Sequence, residues 1–305
     1  MLHNINKIVC TILILSSLTF GCSGENNSPS NNKIASGLIT VSDIGLGPNR
    51  IAFKLLTPDG NLINDAYTKV SFTHLQDKEN PNNVIQHETS MYSIISNSGH
   101  NHPDGAIHSH LEKSTLYVAS KIYFSKPGFW KVSLWIKSKK YPEIVEGNMF
   151  ITVNEATITP EIGSRPPFTN NPTIATNPDL TQISTLKTIN KNLYQFTVEE
   201  ALKLSRPTII AFSSPNFCQS MACSSVTESI NEASKLNNKI IFIHVEPWNL
   251  NTAREIGKLE WTKQALAWKI PTEPWVFLIN DNGNIVHKIE GPVSLEELIF
   301  IIGTL

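Results

Sequence analysis

Two cysteines, Cys218 and Cys223, lie in the segment AFSSPNFCQSMAC with four residues between them. An apolar β-type run, Thr208–Phe212, precedes the first cysteine, and the residues from Cys223 onward have helical spacing. A cysteine at a helix N-terminus is activated, because the helix dipole and the free N–H groups favour the thiolate. The pattern therefore indicates thiol chemistry, with Cys218, between the strand and the helix, as the expected nucleophile.

The spacing limits how these two cysteines can pair with each other. In a regular helix, residues five apart lie about 140° from each other around the axis, and a disulfide needs Cα atoms within roughly 7 Å. The bond can therefore form only if Gln219–Ala222 is a loop or a distorted first turn that leaves Cys218 ahead of the helix.

A second group of residues that could do chemistry is a histidine-rich segment. Four of the nine histidines fall within 11 residues: His100, His102, His108 and His110. The turn signal Asp104-Gly105 between them predicts a β-hairpin. A two-residue loop would set His102 opposite Ile107 and split the histidines between the two faces. A three-residue loop would set His102 opposite His108, so that the four imidazoles converge.

Four convergent imidazoles would form a site for copper or zinc, to which His87 and Met91 could add ligands. The alternative is a solvated polar loop with scattered histidines. The thiol chemistry of the cysteine pair requires no cofactor, so a metal is an additional hypothesis for this segment.

Length and composition exclude one class of partner. The chain has 305 residues, of which 40% are hydrophobic and 17% charged, and its formal net charge is −1. Because phosphate binding needs a basic surface, this balance argues against a nucleic-acid partner. The length favours about two domains, and since Cys10 and Cys22 lie in the N-terminal leader, the folded part holds one cysteine pair.

The N-terminus has the pattern of a lipoprotein signal peptide. Ile8–Phe20 is an apolar run of 13 residues, too short to span a bilayer. The sequence LTFGC that ends at Cys22 resembles the lipobox of bacterial lipoproteins. The resemblance implies a signal peptide over residues 1–21 and lipid attachment at Cys22; a plain secretory signal that leaves Cys22 as a free thiol is the alternative.

The residues after Cys22 fit a membrane-anchored location. Ser23–Asn32 is polar and rich in Asn and Ser, which suits a flexible tether over residues 22–33. The lipobox resemblance implies a cell-envelope protein, with Ser23 permitting placement on the periplasmic face of the outer membrane. Outside the cytoplasm, a disulfide is also chemically stable.

Residues 34–155 have the pattern of an all-β domain. Short apolar runs and turn signals recur at a spacing of roughly 8–12 residues, which predicts a β-sandwich. The expected strands include residues 114–119 and 121–124 as separate elements. The run PGFWKVSLWI, residues 127–136, resembles a late strand of immunoglobulin-like envelope domains. Residues 156–192, rich in Pro, Asn and Thr, predict an extended linker of which part lies against one domain.

Residues 193–305 alternate between helix and strand patterns. A capping box, Thr197–Glu200, opens a first helix, and the order that follows is β-α-β-α-β-β-α. Similar capping patterns open two later helices. Thr252–Glu255 begins one that carries the apolar residues Ile256, Leu259, Leu266 and Trp268, and Ser294–Glu297 begins the last. A right-handed crossover makes the first two strands parallel, and Asn282-Gly283 predicts a hairpin between the last two. This α/β arrangement resembles a thioredoxin-like domain, and the whole layout is similar to that of bacterial thioredoxin-family lipoproteins.

The resemblance has a second marker in the segment IPTEPWVF, residues 270–277. It lies just before the third strand, where thioredoxin-like proteins carry a cis-proline that faces the cysteines. The match implies that Pro274 is this cis-proline, with Thr272 and Glu273 beside the site. It also implies that the partners are envelope proteins with thiols or disulfides.

Three interpretations of the cysteine pair stay open. The first is thiol–disulfide exchange, in which Cys218 attacks and Cys223 resolves the intermediate. The second is copper handling, because thioredoxin-like copper chaperones use two cysteines and a distant histidine, for which His244 and His287 are candidates here. The third is a structural disulfide in a non-catalytic binding module.

Overall fold

The computed structural model describes residues 35–77, 84–101, 107–218 and 222–305 of the chain. Residues 33–305 belong to one compact unit, which contains two β-sheets. The predicted signal peptide, the tether and the lipidation site Cys22 lie outside the described residues. The described chain is rich in strands and has few helices. None of the helices in these ranges combines the length and the apolar composition that crossing a bilayer would require.

The first sheet comes from the N-terminal part of the chain. Its described strands are β1 (Ala35–Ile39), β2 (Gly47–Leu56), β3 (Leu62–Ile63), β4 (Tyr67–His74), β5 (Val84–Glu88), β6 (Ser90–Asn101), β7 (Ile107–Phe124), β8 (Gly128–Lys137) and β9 (Val145–Val153). They pair in the order β5-β4-β8-β9-β1-β2-β7-β6, with β3 on β2. The pairing of β1 with β9 is parallel, and the other pairings are antiparallel.

Aromatic contacts show that this sheet folds over on itself. The ring of Phe72 on β4 lies 5.6 Å from the ring of Phe124 on β7, although β8, β9, β1 and β2 separate these strands in the pairing order. Neighbouring strands are about 4.8 Å apart, so a flat sheet would hold the two rings more than ~20 Å apart. The ring of Phe124 also lies 4.9 Å from that of Trp130 on β8. The sheet therefore encloses an apolar core, and the sheet-rich character predicted for this part is confirmed.

One expected strand boundary in this sheet is wrong. The segments 114–119 and 121–124, predicted as two strands, belong to the single strand β7. Lys121 has a positive φ of 58°, and the register of β7 with β2 shifts between Asn49 and Ile51. A β-bulge of this kind absorbs an irregular residue while the ladder continues on both sides.

The segment predicted as a linker, residues 156–192, packs against the second sheet. It contains one 3-10 helix, Leu180–Gln182, and runs into a second, Lys191–Tyr194. Leu180 and Tyr194 are buried in the core that covers one face of the second sheet. The prediction that part of this segment lies against a domain is therefore confirmed.

The second sheet and its helices form the C-terminal part. The elements are α1 (Val198–Lys203), β10 (Thr208–Phe212), α2 (Cys223–Leu236), β11 (Ile241–Val245), α3 (Leu250–Ile256), α4 (Lys263–Ala267), β12 (Trp275–Ile279), β13 (Ile285–Glu290) and α5 (Leu295–Ile302). The strand order is β11-β10-β12-β13. As predicted, β10 and β11 are parallel, and β12 and β13 form an antiparallel hairpin whose turn contains Gly283 at a φ of 77°.

Side-chain caps fix the ends of two of these helices. Thr197 and Glu200 form the predicted capping box at α1, in which each side chain accepts a hydrogen bond from the backbone N–H of the other residue. Ser294 caps α5 by accepting a hydrogen bond from the backbone N–H of Glu297 at 3.0 Å. Both helix starts therefore follow from local sequence.

The prediction of one helix that runs from Thr252 to Trp268 is wrong. The structure has two short helices, α3 and α4, because Gly257 adopts a left-handed φ of 67° and ends α3. Ile256 and Leu266, expected on the buried face of a single helix, are 69% and 61% exposed. A break in the helix changes the phase of the apolar stripe, so these side chains no longer point to one core.

Buried polar contacts join the two sheets. Arg50 of β2 makes a bidentate ion pair with Glu297 of α5, with Nε–Oε1 at 2.6 Å and Nη2–Oε2 at 2.8 Å. The two side chains are 8% and 1% exposed. Lys288 of β13 lies 3.6 Å from the carboxylate of Asp43, which follows β1. Charge-assisted hydrogen bonds and an ion pair therefore connect the two parts.

Candidate active site

Cys218 and Cys223 form a disulfide with a Cα–Cα distance of 5.9 Å. The two cysteines differ in burial, since Cys218 is half-buried and Cys223 is fully buried. Cys218 is therefore the residue of the pair that lies closer to solvent.

Helix α2 begins at Cys223, so Cys218 lies ahead of the helix, as pairing of the two residues requires. Cys223 is the first helical residue, which agrees with the helical spacing that the sequence shows from Cys223 onward. The aligned peptide dipoles act most strongly within the first turn of a helix. They therefore favour the thiolate of Cys223, which is the leaving group when a thiol attacks Cys218.

A pair of buried hydroxyl groups ties the start of α2 to the end of β10. Thr227 Oγ1 donates to the carbonyl oxygen of Cys223 at 2.7 Å. Ser213, the residue after β10, has its hydroxyl oxygen 2.6 Å from Thr227 Oγ1. Because Thr227 uses its proton on the carbonyl, Ser213 is the donor in this second bond. The two bonds fix the first turn of α2 relative to the sheet.

The Glu273–Pro274 peptide bond is cis, as the sequence match predicts for Pro274. A carboxylate oxygen of Glu273 and the sulfur atoms of Cys218 and Cys223 all lie within 4.8 Å of one another. Glu273 is only 8% exposed. The structure therefore places a buried carboxyl group directly beside the disulfide, where the sequence predicted that Glu273 would lie.

Two tryptophans hold this carboxyl group in position. Trp248 Nε1 donates a hydrogen bond to Glu273 Oε1 at 2.7 Å. Trp248 stacks on Trp261 with ring centroids 3.8 Å apart, and it is 5% exposed. The indole ring is rigid and fixed by stacking, so the hydrogen bond orients the carboxyl group toward the disulfide.

A groove of about 510 Å³ opens beside the disulfide, between the first sheet and the second. Its lining includes Leu38, Thr40 and Ile94 from the first sheet and Ala222, Thr272 and Glu273 from the second. The first sheet therefore forms one wall of the groove, and Glu273, which lies beside the disulfide, belongs to the other wall.

The site could also hold a metal ion after reduction of the disulfide. Two thiolates and a carboxylate suit zinc, and the thiolates also suit copper(I). Among the described residues, the group of close ligand atoms around the cysteines contains Glu273 and no histidine. The ligand set of two cysteines and a distant histidine is therefore not formed in this structure.

His244, one of the two histidines considered as that ligand, is held by hydrogen bonds at both ring nitrogens. Its Nε2 lies 2.9 Å from the carbonyl oxygen of Ser213, and its Nδ1 lies 2.7 Å from the hydroxyl of Tyr194. The carbonyl can only accept, so Nε2 donates to it, and Nδ1 and the Tyr194 hydroxyl form the second hydrogen bond. Burial lowers the pKa of His244, which favours the neutral ring. His287 bonds Thr304 through Nε2 at 3.1 Å.

Glu246 is a second buried carboxyl group in this part of the chain. Glu246 follows β11 and is 6% exposed. Its Oε1 accepts hydrogen bonds from the backbone N–H and the hydroxyl of Thr185, both at 2.6 Å. The packed segment before α1 therefore covers this carboxyl group, which local sequence around Glu246 could not indicate.

The histidine-rich hairpin has a register that differs from both predicted ones. His100 on β6 is directly opposite His108 on β7, and His110 is opposite Ser98. His102 and the side chains of the other three histidines lie outside the described part of the chain, so the copper or zinc site stays a prediction.

No protein-family model, no curated protein and no solved structure matches this chain. The sequence does not predict the hydrogen bond between Trp248 and Glu273 or the ion pair of Arg50 with Glu297. The partners are 25 and 247 residues apart, so no pattern in the local sequence indicates that they meet.

Proposed function

We propose that this protein performs thiol–disulfide exchange through Cys218 and Cys223, on envelope proteins that carry thiols or disulfides. The observation that carries the proposal is a disulfide at the N-terminus of α2 between the half-buried Cys218 and the fully buried Cys223. A buried carboxyl group lies within 4.8 Å of both sulfurs. A purely structural disulfide does not need this asymmetry or a neighbouring acid. Charged groups and helix N-termini that shift the pKa of a thiol are common beside functional cysteines.

We further propose a thioredoxin-like C-terminal domain and an immunoglobulin-like N-terminal sandwich. The strand order β11-β10-β12-β13 and the helix that follows β10 and begins at a cysteine support the first assignment. The ring contact between Phe72 and Phe124 across the folded-over sheet supports the second. We also propose attachment to the membrane through a lipid on Cys22, supported by the leader sequence.

The exchange begins at Cys218. A thiolate of the substrate attacks Cys218 Sγ, a new S–S bond forms between substrate and Cys218, and Cys223 leaves as a thiolate. A second substrate thiolate then attacks the substrate sulfur of the mixed disulfide and releases Cys218. The substrate dithiol is oxidised to a disulfide, and the protein is reduced to a dithiol. The reverse sequence reduces a substrate disulfide.

The test uses the full chain and oxidised glutathione as the probe. In the reduced Cys223→Ser variant, Cys218 should form a mixed disulfide with glutathione that persists, because no resolving thiol is present. The reduced Cys218→Ser variant should form at least tenfold less adduct, since Cys223 is buried. Mass spectrometry of acid-quenched samples measures both. Equal and slow labelling of the two variants, together with a wild-type disulfide that resists millimolar dithiothreitol, would leave only the structural interpretation.

A second candidate function is metal binding by the reduced site. The observation that favours it is the closeness of two sulfurs and the carboxyl group of Glu273. Competition between the reduced protein and a chromophoric chelator measures its affinity for zinc or copper(I). If the Cys218→Ser/Cys223→Ser variant binds as tightly as wild type, the cysteine site is not the ligand set, and the four hairpin histidines are the next residues to replace.

A further inference from the structure

Because Cys223 is buried, its thiol needs a nearby group that can accept and return a proton during the exchange reaction. Cys223 is fully buried, so its thiol proton cannot pass directly to bulk water when the sulfur attacks a mixed disulfide. The N-terminus of α2 stabilises the thiolate that results but accepts no proton. A nearby base must therefore take this proton, and a nearby acid must return it when Cys223 becomes the leaving group.

The carboxyl group of Glu273 is placed to meet this requirement. One of its oxygens lies within 4.8 Å of the sulfurs of Cys218 and Cys223, close enough for transfer directly or through one water. Trp248 donates to Oε1 at 2.7 Å and orients the group. We infer that Glu273 is the proton acceptor and donor for Cys223, a role that rests on the exchange function proposed above.

The other charged groups of the groove have different positions or partners. Glu290 accepts hydrogen bonds from the backbone N–H and hydroxyl of Ser42 at 2.6 Å each, and from the hydroxyl of Thr272 at 3.0 Å. Lys54 also lines the groove, on the side of the first sheet. In the described part of the chain, Glu273 is the carboxyl group that is grouped with the two sulfurs.

The proposed step balances when the reduced protein meets a substrate disulfide. The thiolate of Cys218 attacks one substrate sulfur, and the other substrate sulfur leaves as a thiolate. Glu273 then accepts the proton of the Cys223 thiol, and the Cys223 thiolate attacks Cys218 Sγ. The S–S bond of the protein forms, the remaining substrate sulfur leaves as a thiolate, and Glu273 passes the proton to it. Two electrons move from the protein to the substrate.

The test follows a single turnover of reduced full-length protein with oxidised glutathione between pH 5 and 9. Two rates are separated by quenched-flow mass spectrometry: formation of the mixed disulfide at Cys218 and its resolution by Cys223. Glu273→Gln should slow resolution by about 100-fold and change formation by less than about threefold, because general acid–base catalysis contributes at least that factor. Glu273→Asp should recover part of the resolution rate and its pH dependence.

A second variant guards against a folding defect in Glu273→Gln. Trp248→Phe removes the hydrogen bond to Glu273 Oε1, which stabilises the ionised carboxylate, so the pH midpoint of resolution should move upward. Glu260→Gln, at an exposed carboxylate paired with Lys258, is the matched control and should resolve like wild type.

The outcomes separate the two proposals. If Glu273→Gln resolves at the wild-type rate with the wild-type pH profile, the role of Glu273 is wrong while exchange stands. A uniform slowing of both steps with an unchanged pH profile would also overturn it, because that is what a merely structural role predicts. If the Cys223→Ser variant forms no mixed disulfide with glutathione, the exchange function fails and the inference fails with it.

Discussion

The buried ion pair between Arg50 and Glu297 offers the sharpest test of how the two sheets are joined. Arg50→Met keeps an apolar stem of similar length and removes the charge. The carboxylate of Glu297, only 1% exposed, would then be left without its cation. Breaking a buried pair by removal of one partner costs about 3–5 kcal/mol, so we expect a loss of that size in the free energy of unfolding.

Urea unfolding followed by tryptophan fluorescence measures this loss. With a slope of about 3 kcal/mol per M, the transition midpoint should fall by about 1–1.7 M. The double variant Arg50→Met/Glu297→Met should lose much less than the single variant, because no buried charge remains. Lys203→Met, at an exposed pair with Glu199, is the matched control and should change stability by no more than about 0.5 kcal/mol.

Two results would refute the reasoning about this contact. The first is a loss below about 1 kcal/mol for Arg50→Met, which is the range of solvent-exposed pairs. The second is a double variant whose loss equals the sum of the two single losses, since additivity means that the two side chains do not interact.

Three further predictions concern the disulfide, a buried histidine and a glycine at the junction of the sheets. Reduction of the Cys218–Cys223 bond should lower the free energy of unfolding by about 2 kcal/mol, because the residues are only five apart in sequence and the closed loop is short. Urea titrations with and without dithiothreitol measure this loss. An unchanged transition midpoint would contradict the prediction. Burial lowers the pKa of His244 in the folded chain, so the unfolded chain binds a proton first as the pH falls below about 6.5. The free energy of unfolding should therefore fall toward acid by up to about 1.4 kcal/mol per pH unit. Urea unfolding of His244→Asn should show a flatter pH dependence between pH 7 and 5. Gly291→Ala should lower the free energy of unfolding by about 1–3 kcal/mol more than Gly257→Ala, measured by thermal unfolding. Both glycines have a positive φ, but of the two only Gly291 would place a Cβ against a backbone oxygen, that of Thr40 at 2.7 Å. Equal losses for the two variants would exclude the steric explanation.

Local patterns predicted most elements of the C-terminal part. The capping residues Thr197 and Ser294, the parallel pair of strands and the glycine turn at Gly283 all appear where the sequence indicates them. These signals work because each involves residues within one turn or one hairpin. The single helix expected after Thr252 failed because Gly257 ends the helix, and the apolar spacing alone did not reveal the break.

In the candidate site, too, local motifs predicted some features, whereas contacts between distant residues could not be predicted. The pairing of Cys218 with Cys223 ahead of a helix that begins at Cys223, and the cis bond before Pro274, follow from motifs. The burial of Glu246 and the bonds of His244 were not predictable, because their partners come from the packed segment before α1 and from the loop after β10.

By itself, the sequence determined the strand-rich composition, the helix starts and a cysteine pair that can close only outside a regular helix. The tertiary structure decided how deeply each cysteine is buried, and it placed the indole N–H of Trp248 on the Glu273 carboxyl group beside the disulfide. It also decided that the first sheet forms one wall of the groove whose other wall carries Glu273. The physical reason is that burial and hydrogen bonding depend on distances between residues far apart in sequence, and only the packed chain sets these distances.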